Sequence, residues 1–206
     1  MNRSPSLSRR SWIHGWPLLG TLSLALLLMA SVVLLLEPDV DGVRRLIRVT
    51  ARSSLVLFLL AFTASAVARR WPGPVTRWQV ANRRQVGLAF AVSHAIHAAA
   101  IAAFARLDPV AFDAATGPGN FISGGLAYAF IVLMAATSFD HAVRWLGARR
   151  WRLLHLAGVY FLWISFVVTF AKRIPMSAGY GVPIAMLLCA LALRLWPQPL
   201  ARLPAR

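Results

Sequence analysis

The chain has 206 residues, of which 59% are hydrophobic and only 14% charged. A soluble domain of this length needs far more polar surface, and the apolar residues come in long blocks, so a membrane protein is indicated and a soluble enzyme is excluded. The 22 Lys+Arg outnumber the 6 Asp+Glu, for a formal net charge of +16, but the arginines cluster between apolar blocks, which assigns them to topology and anionic lipid and not to nucleic acid.

The first fifteen residues form a basic N-terminal tail that ends in "SLSRRSWIHGW". "SRRSWI" resembles a twin-arginine signal, yet the apolar run that follows is about 20 residues long, too long for the core of a signal peptide. No A-x-A site follows it, so a retained first helix is expected. His14, just before that helix, reads as an interfacial residue.

Six apolar blocks follow in order, near 16–36, 52–69, 86–106, 121–139, 151–171 and 178–196. Each approaches the ~20 residues that a ~30 Å hydrocarbon core requires, and none alternates as a barrel strand would. The expected fold class is therefore an all-α membrane protein, a six-transmembrane-helix bundle over 16–196 with a short C-terminal tail, 197–206. Between the second and third blocks, "RRWPGPVTRWQVANRR" is a basic loop stiffened by Pro72 and Pro74. "LDPVAFDAATGPGN" reads as a Pro/Gly-rich loop on the other side. Cys189 is the single cysteine and reads as a buried packing thiol.

Orientation follows from the arginines. With the N-terminus inside, fifteen of the 22 basic residues fall on inner segments, including Arg69, Arg70, Arg77, Arg83, Arg84, Arg144, Arg149, Arg150 and Arg152. The outer loops hold Arg44, Arg45, Arg48, Arg52, Arg106, Lys172 and Arg173. This bias predicts a bacterial inner-membrane protein with both termini in the cytoplasm.

The chemistry available inside such a bundle is narrow. All six acids lie in loops or at helix ends, so carboxylate proton relays and paired-carboxylate catalysis have no support. No nucleotide-binding or hydrolase motif stands in a sensible context. Histidine remains. The third block contains "FAVSHAIHAAAIAAF", with His94 and His97 three apart and hence on one helix face, and His155 lies near the inner end of the fifth block. His141 falls in the loop between the fourth and fifth blocks and reads as a surface residue. Ionisable side chains within a bilayer usually face the bundle interior and serve function, and neutral imidazole ligates metals and haem.

Two stretches carry a family resemblance. "RRQVGLAFAVSHAIHAAAIAAF" (83–104) and "MAATSFDHAVRWLGARRWRLLHLAGVYFLW" (134–163) resemble the third span and the fourth-to-fifth junction of the ferric-reductase-like transmembrane domain family. The matching pieces are the Arg pair with Gly-Leu soon after, the histidine fourteen beyond the first Arg, the Thr-Ser, the Leu-Gly, and the Trp-x-x-Leu-His followed by Tyr. The family includes ferric reductases, NADPH oxidases and the haem-bearing membrane subunit of the periplasmic methionine sulfoxide reductase system. The resemblance implies a b-type haem subunit that carries electrons across a membrane. The donor would be a separate flavoprotein or quinol, and the acceptor is unassigned. By position His97 matches the outer ligand of span three and His155 the inner ligand of span five.

The chain departs from that pattern. The outer partner on span five falls at Val168, and the inner partner on span three falls at Arg83. From inner ends near residues 85 and 150, a rise of ~1.5 Å per residue puts His155 ~8 Å deep, His94 ~13 Å and His97 ~18 Å. Depth thus pairs His155 with His94, whereas the resemblance favours His97, and all three remain axial candidates for haem iron. Two other readings stay open at this point: a haem-free bundle using the histidines structurally or for a divalent metal, and a non-catalytic assembly subunit.

Overall fold

The computed structural model describes residues 12–197. It is helical, with no strand among the described residues: α1 (Gly15–Leu36), α2 (Val40–Arg70), α3 (Pro74–Ala81), α4 (Arg83–Leu107), α5 (Pro109–Ala115), α6 (Pro118–Ala136), α7 (Asp140–Leu146), α8 (Ala148–Ala171) and α9 (Gly181–Leu195). Two 3₁₀ turns, Ile174–Met176 and Ala178–Tyr180, join α8 to α9. Six helical segments, α1, α2, α4, α6, α8 and α9 with the 3₁₀ turn before it (Ala178–Leu195), are long and apolar enough to cross a membrane.

The outer surface of these helices is apolar. Leu24, Leu27, Leu28, Val32, Leu60, Val132, Ile164 and Leu188 are all exposed, an arrangement that water would penalise and hydrocarbon accepts. Cys189 is also exposed on α9, not buried as expected. Its neighbours Leu187 and Ala190 take the inward positions of that turn, which leaves the thiol facing outward.

α2 and α4 form the central pair. Their contact is lined by small residues: Ser54, Ser93 and Ala89 are fully buried, and Ser54 Oγ donates to Ser93 Oγ at 2.8 Å. Small side chains let two membrane helices approach closely, and hydroxyls bond across the seam. Phe58, Phe62, Phe90, Leu162, Phe166 and Leu187 complete the core from α2, α4, α8 and α9.

α2 begins twelve residues before the predicted block, so Arg44, Arg45, Arg48 and Arg52 ride on a helix and not in a loop. The Asp39 side chain accepts from Gly42 N at 2.9 Å and caps the helix, while Arg45 pairs with Glu37 at 2.6 Å. Arginine is a good helix former, so the helix runs on where the hydropathy stops. Asp39→Ala should cost about 1 kcal/mol, the usual value of an N-cap. Thermal unfolding in detergent measures it, and an unchanged midpoint would show that the cap contributes nothing.

The loops predicted around Pro74, Pro109 and Asp140 contain the short helices α3, α5 and α7. Proline opens α3 and α5, because its fixed φ suits a first helical turn. Asn82, almost fully buried, latches α1 to α4: its Oδ1 accepts from Gly15 N at 2.9 Å. Trp78 Nε1 donates to Ile13 O at 2.7 Å beside it. His14 joins this latch, 3.4 Å from Asn82 Nδ2, and His141 is exposed on α7.

Candidate functional site

α4 packs closely on α2, and α8 on α6, but the backbones of α4 and α8 stay apart and meet only through side chains such as Phe90 and Phe166. The space between them is a cavity of about 490 Å³ at the end of the bundle that carries the α2–α3 and α6–α8 connections. That volume lies within the roughly 300–1,000 Å³ typical of cofactor and small-molecule sites. Its floor is apolar, with Phe58, Phe62, Phe90, Ile131, Val159 and Leu162. Its rim is cationic, with Arg83, Arg84, Arg152 and Arg194. Arg84 is paired with Asp140 at 3.0 Å. Arg194 Nη1 donates to Phe62 O at 2.8 Å and its guanidinium lies over the Phe62 and Tyr160 rings. Arg83 has no hydrogen bond or ion pair among the described residues.

Of the histidines, His155 lines this cavity, and His94 and His97 do not. Its ring is held by two neighbours, Trp151 and Thr137, which are hydrogen-bonded to each other. Trp151, one turn back on α8, packs against it in a tilted arrangement with 4.3 Å between ring centroids. Trp151 Nε1 donates to Thr137 O at 2.8 Å, and Thr137 Oγ1 lies 3.1 Å from His155 Nε2. The Thr137 hydroxyl also lies 2.6 Å from Leu133 O. One proton cannot serve both, and the shorter contact is to the carbonyl, so the imidazole meets a hydroxyl lone pair. The Thr-Ser, Leu-Gly and Trp-x-x-Leu-His pieces of the sequence therefore converge on one clamp. Gly147 adds the turn between α7 and α8: its φ of +77° is in the left-handed region that favours glycine.

Trp151 both lines the cavity and braces its histidine. Trp151→Leu should weaken retention of a metal-bearing ligand at His155 by roughly 10–100-fold, the usual effect of losing a supporting residue. A haem titration of the purified variant checks it, and wild-type affinity would remove Trp151 from the site.

His94 and His97 stand together elsewhere on α4, their ring centroids 5.7 Å apart. His97 Nδ1 lies 2.8 Å from Thr50 Oγ1, whose hydroxyl also reaches Leu46 O at 2.7 Å. A threonine thus steadies His97 as another steadies His155. His94 packs on Phe90 at 4.5 Å, Tyr128 at 5.9 Å and Phe166 at 6.0 Å. Its Nδ1 and the Tyr128 hydroxyl are buried without hydrogen-bond partners among the described residues. Phe90 belongs to the cavity wall and touches His94, which does not itself line the cavity. Among the described residues no three His, Cys, Asp or Glu side chains come together, which leaves the divalent-metal alternative without a multi-ligand site there.

Sequence reasoning missed Thr50, Arg194 and Tyr128. Of the inner-segment arginines, Arg84 and Arg152 line the cavity, whereas Arg149 does not.

A family model described as "Ferric reductase like transmembrane component" matches residues 48–167, more than half of the chain. The chain belongs to that family. The matched segment of this ferric-reductase-like protein runs from the arginine-bearing part of α2 to the outer part of α8 and contains all three candidate histidines, Thr50, Thr137 and Trp151. Membership and the six spans together mark a multi-pass, ferric-reductase-like membrane component. Comparisons with curated proteins and with solved structures return no significant match.

Proposed function

We propose that the protein is a b-type haem-binding membrane subunit that passes electrons across the bacterial inner membrane, from a separate flavoprotein or quinol to a separate acceptor. One observation carries this reading: an apolar cavity of about 490 Å³ has a braced histidine on its wall and arginines on its rim. The residues present fit haem. The phenylalanine floor suits the apolar macrocycle, Arg83 and Arg152 suit its carboxylates, and His155 offers the iron a nitrogen. When bound, haem supplies one-electron exchange at iron. To offer Nε2, His155 gives up its Thr137 contact, a bond worth about 1 kcal/mol net, and carries its ring proton on Nδ1 instead.

The basic end of the bundle is the cytoplasmic end by the distribution of arginine, so His155 and its cavity receive electrons from inside. By helical rise His94 stands near mid-membrane and His97 just beyond it, along the stretch the electron still has to cross. They are the candidate ligands for that stretch, His97 with its ring already steadied by Thr50. The arginine-rich surface around Arg77, Arg144, Arg149 and Arg150 also meets anionic lipid.

Transmembrane transfer is tested in sealed proteoliposomes loaded with an impermeant electron acceptor. An external reductant should reduce the enclosed acceptor faster with haem-loaded protein than with empty vesicles. Equal rates would remove electron transfer as the function.

A further inference from the structure

The wall facing His155 carries no second histidine. The cavity residues contributed by α4 are Arg83, Arg84, Gly87, Phe90 and Ala91. Arg83 is the position where the family resemblance puts the span-three ligand, and a guanidinium is not a normal ligand to iron. Gly87 lies about 6 Å along α4 from its first residue and Ala91 about 12 Å, bracketing the ~10 Å of His155 along α8, by helical rise. Around His155's level, α4 therefore presents Gly87, Phe90 and Ala91, none of which can ligate iron. A Cβ built on Gly87 would have no atom within 4 Å, so the wall is open at Gly87. Met134 also lines the cavity, but it belongs to His155's side: a Cβ on Gly158, one turn from His155, would collide with its sulfur. His94 is held outside by its packing on Phe90 and Phe166.

We infer that His155 is the sole protein ligand in this cavity and that the Gly87–Ala91 wall is a binding site for a small exogenous axial ligand. The ligand would be diatomic or triatomic, neutral to ferrous iron and anionic to ferric iron. A cavity this open on one side binds a ligand where a bis-histidine site would exclude it. The inference rests on the haem reading above.

Optical titration of purified, haem-loaded protein tests it. Carbon monoxide added to the reduced form, and cyanide to the oxidised form, should each shift the main haem absorption band. Gly87→His should give a six-coordinate low-spin spectrum and lose both responses, because the new imidazole has room to reach the same space. Ala91→His serves as the second variant should the first fail to fold. A haem-loaded wild type that is low-spin and unmoved by carbon monoxide and cyanide overturns this inference alone. Restoration of the cyanide response on His94→Ala would name His94 as the second ligand and overturn it likewise. Protein that takes up no haem overturns both this inference and the reading beneath it.

Discussion

His155→Ala should empty the basic-end cavity of haem, whereas His94→Ala and His97→Ala should retain the haem of that cavity. His155 is the one histidine on that cavity's wall, and what remains without it is an apolar slot with arginines at its rim. Such a slot contributes burial and charge pairing but no bond to iron. The loss should exceed the roughly 10–100-fold expected for a supporting residue such as Trp151. The ratio of haem to protein after purification measures it. The fold should survive, since His155 is only half-buried and its hydrogen bond is to a hydroxyl already turned to Leu133 O. Equal haem loss in His94→Ala, with His155→Ala unaffected, would move the site to the other half of α4.

Gly42→Ala should be the most damaging small substitution in the fold. A Cβ at Gly42 would overlap the Glu37 carbonyl, both its oxygen and its carbon. Those are backbone atoms of the α1–α2 connection, with no flexible side chain to yield. The same turn holds the Asp39 cap and the Glu37–Arg45 pair, so relief of the clash disturbs both. Overpacking a tight site typically costs 1–3 kcal/mol, and immovable backbone puts this change at about 3 kcal/mol. Gly20→Ala is the control: no atom lies within 4 Å of its Cβ, and alanine is the better helix former by up to about 1 kcal/mol. Thermal unfolding in detergent should show a large drop for the first and none for the second. Equal midpoints would mean that the α1–α2 turn can reshape.

The six spans were legible because hydrocarbon demands long apolar runs, and those runs survive any detail of packing. The start of α2 was not, because Arg44, Arg45, Arg48 and Arg52 end the hydropathy signal without ending the helix. The short helices α3, α5 and α7 were hidden inside segments rich in turn residues. Cys189 was misplaced because a single apolar residue does not report which face of a lipid-bathed helix it occupies.

For the site, sequence named the histidines but not their neighbourhoods. Helical rise gives depth along one axis and says nothing about the rings between two helices. Phe90 and Phe166 belong to different spans, and only the fold places both against His94. Thr137 was already inside a quoted motif, although its contact with His155 Nε2 needed the α6–α8 packing to appear. Arg194 gave no signal, since an arginine near the end of the last span has an ordinary interfacial reading; in the fold it reaches back to Phe62 O on α2.

The central claim is that this ferric-reductase-like bundle holds haem at His155. The most direct measurement is the haem content and reduced-minus-oxidised spectrum of protein purified from cells well supplied with haem. The account predicts a b-type signal, with haem at least equimolar with the chain and the haem of the basic-end cavity lost in His155→Ala. A colourless, folded protein would contradict it.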